Sequence, residues 1–312
     1  MGTTASPAIE TRQLTKYYGK ARGIIDLDLR VEAGDVFGFL GPNGAGKTTT
    51  IRLLMDLIRP TAGHASIFGK DVHEESVAIK ALTGYLPGEL ALWSNLTGRQ
   101  ILTYLGNMRG GVKPGVIEDL AARLQLDLDR KFREYSKGNK QKVGLVQAFM
   151  HKPRLLILDE PTSGLDPLNQ QEFFHILSEA HAEGATVFLS SHVLSEVEHT
   201  CDRVGIIREG RLVRAGSVRE VVAEKLYHVT LSLGVPATED LVRAFASLPS
   251  VSQVRAGDHT VQFVVQGDVD PVVKRAAHYP VLSITSHEPT LEEAFLTYYR
   301  GPETPASEGV KG

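Results

Sequence analysis

The stretch VFGFLGPNGAGKT, residues 36–48, decides the fold of this 312-residue chain. Its first five residues, VFGFL, form a short apolar run that reads as a buried strand. The next eight are Gly41, Pro42, Asn43, Gly44, Ala45, Gly46, Lys47 and Thr48. They leave four free positions between two glycines and close on Lys-Thr, the pattern of a phosphate-cradling P-loop. A polyphosphate needs several backbone N–H groups converging on it, and glycines let the loop curl without Cβ clashes. The loop feeds a predicted helix over residues 48–58, with Ile51, Leu54, Met55 and Ile58 on one face and Pro60 closing it. The positive end of that helix favours an anion. Lys47 is placed to reach the β- and γ-phosphates of ATP, and Thr48 to ligate Mg2+; Thr49 continues the nucleotide-binding run. Because the loop lies between a strand and a helix, a chance glycine-rich turn is a poor account of it.

Outward from the loop, LLIL at 155–158 and TVFL at 186–189 read as further buried strands. Continuous apolar strands separated by helices imply a parallel sheet covered on both faces, an α/β class. The segment 87–150 is richer in helical patterns, at 101–108, 116–126 and 140–150, and reads as a helical insertion. Asp159 and Glu160 end the LLIL strand, where ligands bind in such sheets. Asp159 is placed on Mg2+ and Glu160 on the attacking water. His192 follows the strand TVFLSS, and a γ-phosphate contact outweighs a purely structural role there.

Composition bounds the function classes. With 42% apolar and 23% charged residues, a core of ordinary size is possible. A net charge of −3 points to neither a nucleic-acid nor an anionic-membrane binder. One cysteine, Cys201, allows no internal disulfide and fits a reducing compartment. The small polar N-terminus lacks a signal-peptide pattern, and no apolar run approaches the ~20 residues that span a bilayer. A membrane role therefore needs a second, membrane-spanning chain. Residues 301–312, GPETPASEGVKG, carry no apolar face and read as a disordered tail.

Together these motifs resemble the nucleotide-binding subunits of ABC (ATP-binding cassette) transporters over residues 9–225. Tyr18 sits where the family stacks an aromatic ring on adenine; Tyr17 reads as packing. Residues 41–49 resemble the Walker A loop, Asp159 and Glu160 the end of Walker B, Asp166 the D-loop aspartate, and His192 the switch histidine. Ser136, Lys137, Gly138 and Asn139 occupy the place of the LSGGQ signature, with Lys137 and Asn139 departing from it. At the Q-loop, Gly88 stands where glutamine is usual, and Glu89 is the candidate to take over part of its role. The resemblance implies a head-to-tail homodimer in which the Walker A loop of one subunit and the signature of the other clasp one ATP. It also implies a separate transmembrane permease subunit and a location on the cytoplasmic face of the membrane.

Residues 226–300 read as a small α+β domain, with strands at 228–233, 261–265 and 281–285 and helices at 240–248, 271–278 and 290–299. This part resembles the C-terminal extension of drug- and antibiotic-exporting ATPase subunits, and dimerisation or packing is its expected role. Trp93 has core packing as its default reading, with a groove for a membrane partner's helix as the alternative. The expected function is ATP binding and hydrolysis that drives export of a drug-like or lipid-like substrate. A soluble ABC ATPase acting on ribosomes or DNA, and a regulatory module without turnover, are the rival readings.

Overall fold

The computed structural model describes residues 6–222, 226–287, 290–292 and 295. The expected tail and most of the expected helix over 290–299 lie outside them. The chain divides into two compact units, residues 1–215 and 216–312.

The first unit opens with an antiparallel pair, β1 (Ile9–Tyr18) and β2 (Ala21–Val31), and then β3 (Val36–Leu40). Helix α1 (Lys47–Leu54) follows. It stops before the expected end at 58, because Met55 caps it and Asp56 turns to φ 52°. Then come β4 (Ala62–Ile67), β5 (Lys70–Asp71), α2 (Ser76–Leu82) and β6 (Thr83–Leu86). The helical insertion consists of α3 (Gly98–Met108), α4 (Val116–Arg123) and α5 (Lys137–Phe149). Thr97 and Gln100 start α3 with a capping box. The alternation resumes with β7 (Leu155–Asp159), α6 (Pro167–Ala182), β8 (Thr186–Ser191), α7 (Leu194–Thr200), β9 (Arg203–Arg208) and β10 (Arg211–Ser217).

Two sheets result. One has the order β10-β9-β3-β8-β7-β6, and the pairings among β9, β3, β8, β7 and β6 are parallel. Every residue of β3, β7 and β8 is buried, which is why those strands read as unbroken apolar runs. Phe37 and Phe188 stack across β3 and β8, and each such buried ring contributes about 1.5–3 kcal/mol relative to exposure. The other sheet, β2-β1-β4-β5, is antiparallel and was not foreseen in the sequence. Ile9, Leu14, Ile24 and Leu27 from it share one core with Ile51 and Leu54 of α1 and with Leu155, Ile157 and Phe188. The nucleotide loop is therefore held between a strand and a helix that are both fixed by burial.

The second unit contains α8 (Val218–Val222), β11 (Leu226–Leu233), α9 (Glu239–Ala246), β12 (Val251–Ala256), β13 (Thr260–Gln266), α10 (Asp270–Ala276) and β14 (Val281–His287). From β11 on, the order β-α-β-β-α-β with the antiparallel sheet β12-β13-β11-β14 is a ferredoxin-like arrangement. Val229, Leu231, Phe245, Phe263 and Val272 form its core. Strand β12 escaped the sequence reading. Gln253 bulges at φ 52°, so its partly buried residues Val251 and Val254 fall three apart and the two-residue alternation is lost.

Candidate nucleotide-binding and hydrolysis site

At the loop, Gly46 has φ 117°, and a Cβ there would come within 2.7 Å of Ile24 Cγ2. Backbone conformation and close packing both demand glycine. No side chain caps α1, and its first turn holds no acidic residue. Its leading N–H groups are thus left to an anionic ligand. Lys47 is only 6% exposed, although its side chain carries a charge. Its Nζ donates to the Gly41 carbonyl at 2.5 Å and lies 3.2 Å from Glu160 Oε1.

Glu160 is the centre of a chain of polar contacts. Its other oxygen, Oε2, lies 2.6 Å from His192 Nδ1. A carboxylate only accepts, so Nδ1 carries the proton. Glu160 itself sits at φ 51°, a left-handed backbone that costs a non-glycine residue energy. Its N–H donates to the carbonyl of Ser190 at 3.2 Å and to the Ser190 hydroxyl at 3.1 Å. Its carbonyl accepts from Gln141 Nε2 of α5 at 3.1 Å, and the Pro161 carbonyl accepts from the same amide at 3.0 Å.

Asp159 pairs in register with Ser190 across β7 and β8. The Ser190 hydroxyl donates to Asp159 Oδ1 at 2.6 Å. Asp159 Oδ2 is buried and has no hydrogen-bond partner among the described residues. A buried carboxylate oxygen without a donor is costly unless a cation meets it, so this orphan fits a divalent metal. Gly88 borders the same oxygen: a Cβ there would lie 3.1 Å from Oδ2. Exposed Glu89 follows it. Burial, and secondarily the Asp159 charge, pushes the Tyr85 hydroxyl on β6 up to about 12.

The remaining sequence-predicted residues lie around this centre. Tyr18 is 45% exposed, and its ring lies beside Thr49 over Gly23, where a Cβ would be 3.1 Å from the ring and 3.2 Å from the threonine methyl. Lys16 Nζ stands 5.5 Å from the centre of the same ring. Tyr17, expected to pack, is itself 39% exposed because β1 ends there in a surface turn. Trp93 is also not core: it is 47% exposed and makes an edge contact with Tyr104 at 5.2 Å. Asp166 caps α6, accepting from the Asn169 N–H at 3.0 Å, and that bond holds its carboxyl below the usual range. Ser136 caps α5 by accepting from the Asn139 N–H at 3.3 Å. Gly138 packs against the D-loop, where a Cβ would collide with the Gly164 carbonyl. No hydrogen bond or ion pair joins Ser136, Lys137 or Asn139 to residues 41–49 among the described residues.

Three groups had no role in the sequence reading: Ser190, Gln141 and the pair in which Thr162 donates to Glu196 at 3.0 Å. Burial raises the Glu196 carboxyl above its ordinary range. The signal for Ser190 was present, since a hydroxyl inside a fully buried strand must find a partner.

The sequence pattern described as "ABC transporter" matches residues 24–163. Over 216 residues the chain is 40% identical to the bacitracin transport ATP-binding protein BcrA of Enterococcus faecalis, covering 68% of this chain and 70% of that protein. The chain belongs to the ABC transporter ATP-binding proteins. The linearmycin resistance ATP-binding protein LnrL of Bacillus subtilis is 30% identical over 302 residues, covering 92% of this chain and 97% of LnrL. Among solved structures, one titled as the ATP binding subunit of an ABC transporter superposes with a TM-score of 0.64 at 31% identity, covering 69% of this chain and 91% of that one. ATP binding and hydrolysis coupled to transport is thus the activity of this ABC subunit, and the P-loop NTPase fold of its first unit agrees.

Proposed function

We propose that this ABC subunit hydrolyses Mg-ATP to drive export of a drug- or antibiotic-like compound through a separate membrane permease, working as a homodimer on the cytoplasmic face. The observation that carries the reading is the line Lys47–Glu160–His192 beside the unpartnered Asp159 Oδ2. Lys47 and the backbone of residues 41–49 hold the phosphates, and Tyr18 meets the base. Thr48 and Asp159 would hold Mg2+, which when bound neutralises phosphate charge. Glu160 orients and polarises the water, while His192 fixes the Glu160 carboxylate and reaches the γ-phosphate. Ser136, Lys137, Gly138 and Asn139 would meet the ATP of the partner subunit, with Asp166 at the junction. Gly88 leaves room beside Asp159 Oδ2, and Glu89 follows as the candidate sensor. No helix among the described residues is long and apolar enough to cross a membrane, which favours a separate permease. The drug-export reading takes its support from the names of BcrA and LnrL. The C-terminal unit, among whose described residues no candidate catalytic group lies, serves packing or dimerisation.

The test is Lys47→Ala. Turnover should vanish and ATP binding weaken strongly, because Lys47 is the one fixed cation the loop places on the terminal phosphates. Undiminished Mg-ATPase activity would overturn the assignment.

A further inference from the structure

We propose that Ser190 is a positioning residue that sets the metal-facing orientation of Asp159 and the backbone turn of Glu160 at once. This rests on the assignment of Asp159 to Mg2+ under the proposed function. Ser190 is fully buried in the central strand β8, directly opposite Asp159. A hydroxyl has one proton to give and lone pairs to accept with. Here the proton goes to Asp159 Oδ1 at 2.6 Å, and a lone pair takes the Glu160 N–H at 3.1 Å. The two bonds are complementary. Once Oδ1 is engaged, the carboxylate cannot swing, and Oδ2 is the oxygen left facing the metal position beside Gly88. The second bond steadies the peptide at which Glu160 enters φ 51°, and so the direction in which its carboxylate leaves toward Lys47 and His192. Serine suits this place because it supplies both functions in a strand whose neighbours are all buried. Alanine would keep the backbone bond from Glu160 N–H to the Ser190 carbonyl but remove both hydroxyl bonds.

Hydrogen-bond partners of metal-ligating carboxylates typically change metal affinity by about 10–100-fold when removed. The experiment uses the full chain loaded with ADP and reads Mn2+ binding by electron paramagnetic resonance. A fluorescent ADP analogue in EDTA reads metal-free nucleotide binding, and thermal unfolding reports the fold. Ser190→Ala should weaken Mn2+ binding by roughly 10–100-fold while metal-free ADP binding stays as in the wild type. Ser190→Thr, which keeps the hydroxyl, should return Mn2+ affinity to within a few-fold of the wild type. A purely structural role would lower metal-free ADP binding and the unfolding temperature in step with Mn2+ affinity, and that pattern overturns the proposal. So does wild-type Mn2+ affinity in a folded Ser190→Ala. Should Ser190→Ala not fold, Ser190→Thr decides: a folded threonine variant that loses Mn2+ as an Asp159→Asn control does also overturns it. Were Asp159→Asn itself to keep full Mn2+ affinity, the assignment of Asp159 would fall, and this inference with it.

Discussion

The phosphate loop and the start of helix α5 both lie at helix N-termini and are both proposed to meet phosphate, yet they are built differently. Around the loop, the functional residues are held from within the chain: the side chains of Lys47 by a loop carbonyl and Glu160, of Asp159 by Ser190 and of Glu160 by His192, and the Glu160 backbone by Ser190 and Gln141. At the start of α5, Ser136 and Lys137 are exposed, and a single long cap bond is what the segment makes of its own hydroxyl. The loop is pre-organised and the signature segment is presented. A segment presented in this way needs its ligand brought to it, which is what a shared nucleotide in a head-to-tail pair would do.

The largest effect that would sharpen this contrast is expected from Glu160→Gln. The amide keeps the shape and a contact with His192 but removes the charge proposed to activate water. Hydrolysis should fall by roughly 10²–10⁴-fold, as for loss of a general base, with ATP binding retained. If the signature segment meets a partner's ATP, uncleaved nucleotide should hold two chains together. Light scattering on the variant should then show a dimer in ATP and a smaller species in ADP. Wild-type turnover in Glu160→Gln would move water activation elsewhere and break the contrast at its pre-organised end.

A smaller effect is expected at the other end, from Gly138→Ala. The added Cβ would collide with the Gly164 carbonyl, and since that neighbour is backbone, the start of α5 or the D-loop must shift. Such overpacking costs about 1–3 kcal/mol. In a domain of this size each kcal/mol lowers the unfolding temperature by roughly 2–4 °C. Turnover should fall further than fluorescent-ATP binding, since the cradle does not depend on Gly138. Equal losses of binding and turnover would show that the two segments are not separable.

How far each region was legible follows from the same physics. The cradle could be read because its constraints are local: glycines at fixed offsets, a strand before and a helix after. Buried β7 and β8 announced themselves as apolar runs, and the carboxylates sit at the end of one of them. The supports of the site could not be read. Ser190 acts on Asp159 and Glu160 from 31 and 30 positions away and Gln141 on Glu160 from 19, and only the folded chain brings them together. The sheet β2-β1-β4-β5 was missed because the β1–β4 pairing that joins its two hairpins is long-range and its alternation is broken by left-handed residues such as Gln13 and Asp26. Trp93 had core packing as its default reading and a partner-helix groove as the alternative, whereas its place on the surface depends on where the insertion folds.

The smallest effect concerns the far end of α5, where the helix that starts with an open signature ends in a closed anchor. His151 lies just past that end, and its Nε2 is 3.0 Å from Arg109 Nη1. Arg109 also donates to the carbonyls of Lys80 at 2.9 Å and Thr83 at 3.3 Å. A guanidinium only donates, so toward Arg109 the imidazole accepts as a neutral ring; the Thr83 carbonyl, 3.3 Å from the same Nε2, favours a proton there and partly opposes this. Burial first, and the Arg109 charge second, bring the His151 pKa down to about 4. An unfolded histidine titrates near 6.5. The unfolded chain therefore takes up the proton first as pH falls. The contribution of His151 is complete above about pH 6.5, is lost between about 6.5 and 4, and is flat below that. Discounted for partial exposure, the loss is about 1 kcal/mol. His151→Gln keeps an acceptor for Arg109 but does not titrate. In urea unfolding, the stability gap between wild type and variant should shift by about 1 kcal/mol in the variant's favour from pH 7 to pH 4.5. A gap that stays constant would mean that His151 is not held neutral, and that α5 is as loosely tied at its far end as at its signature.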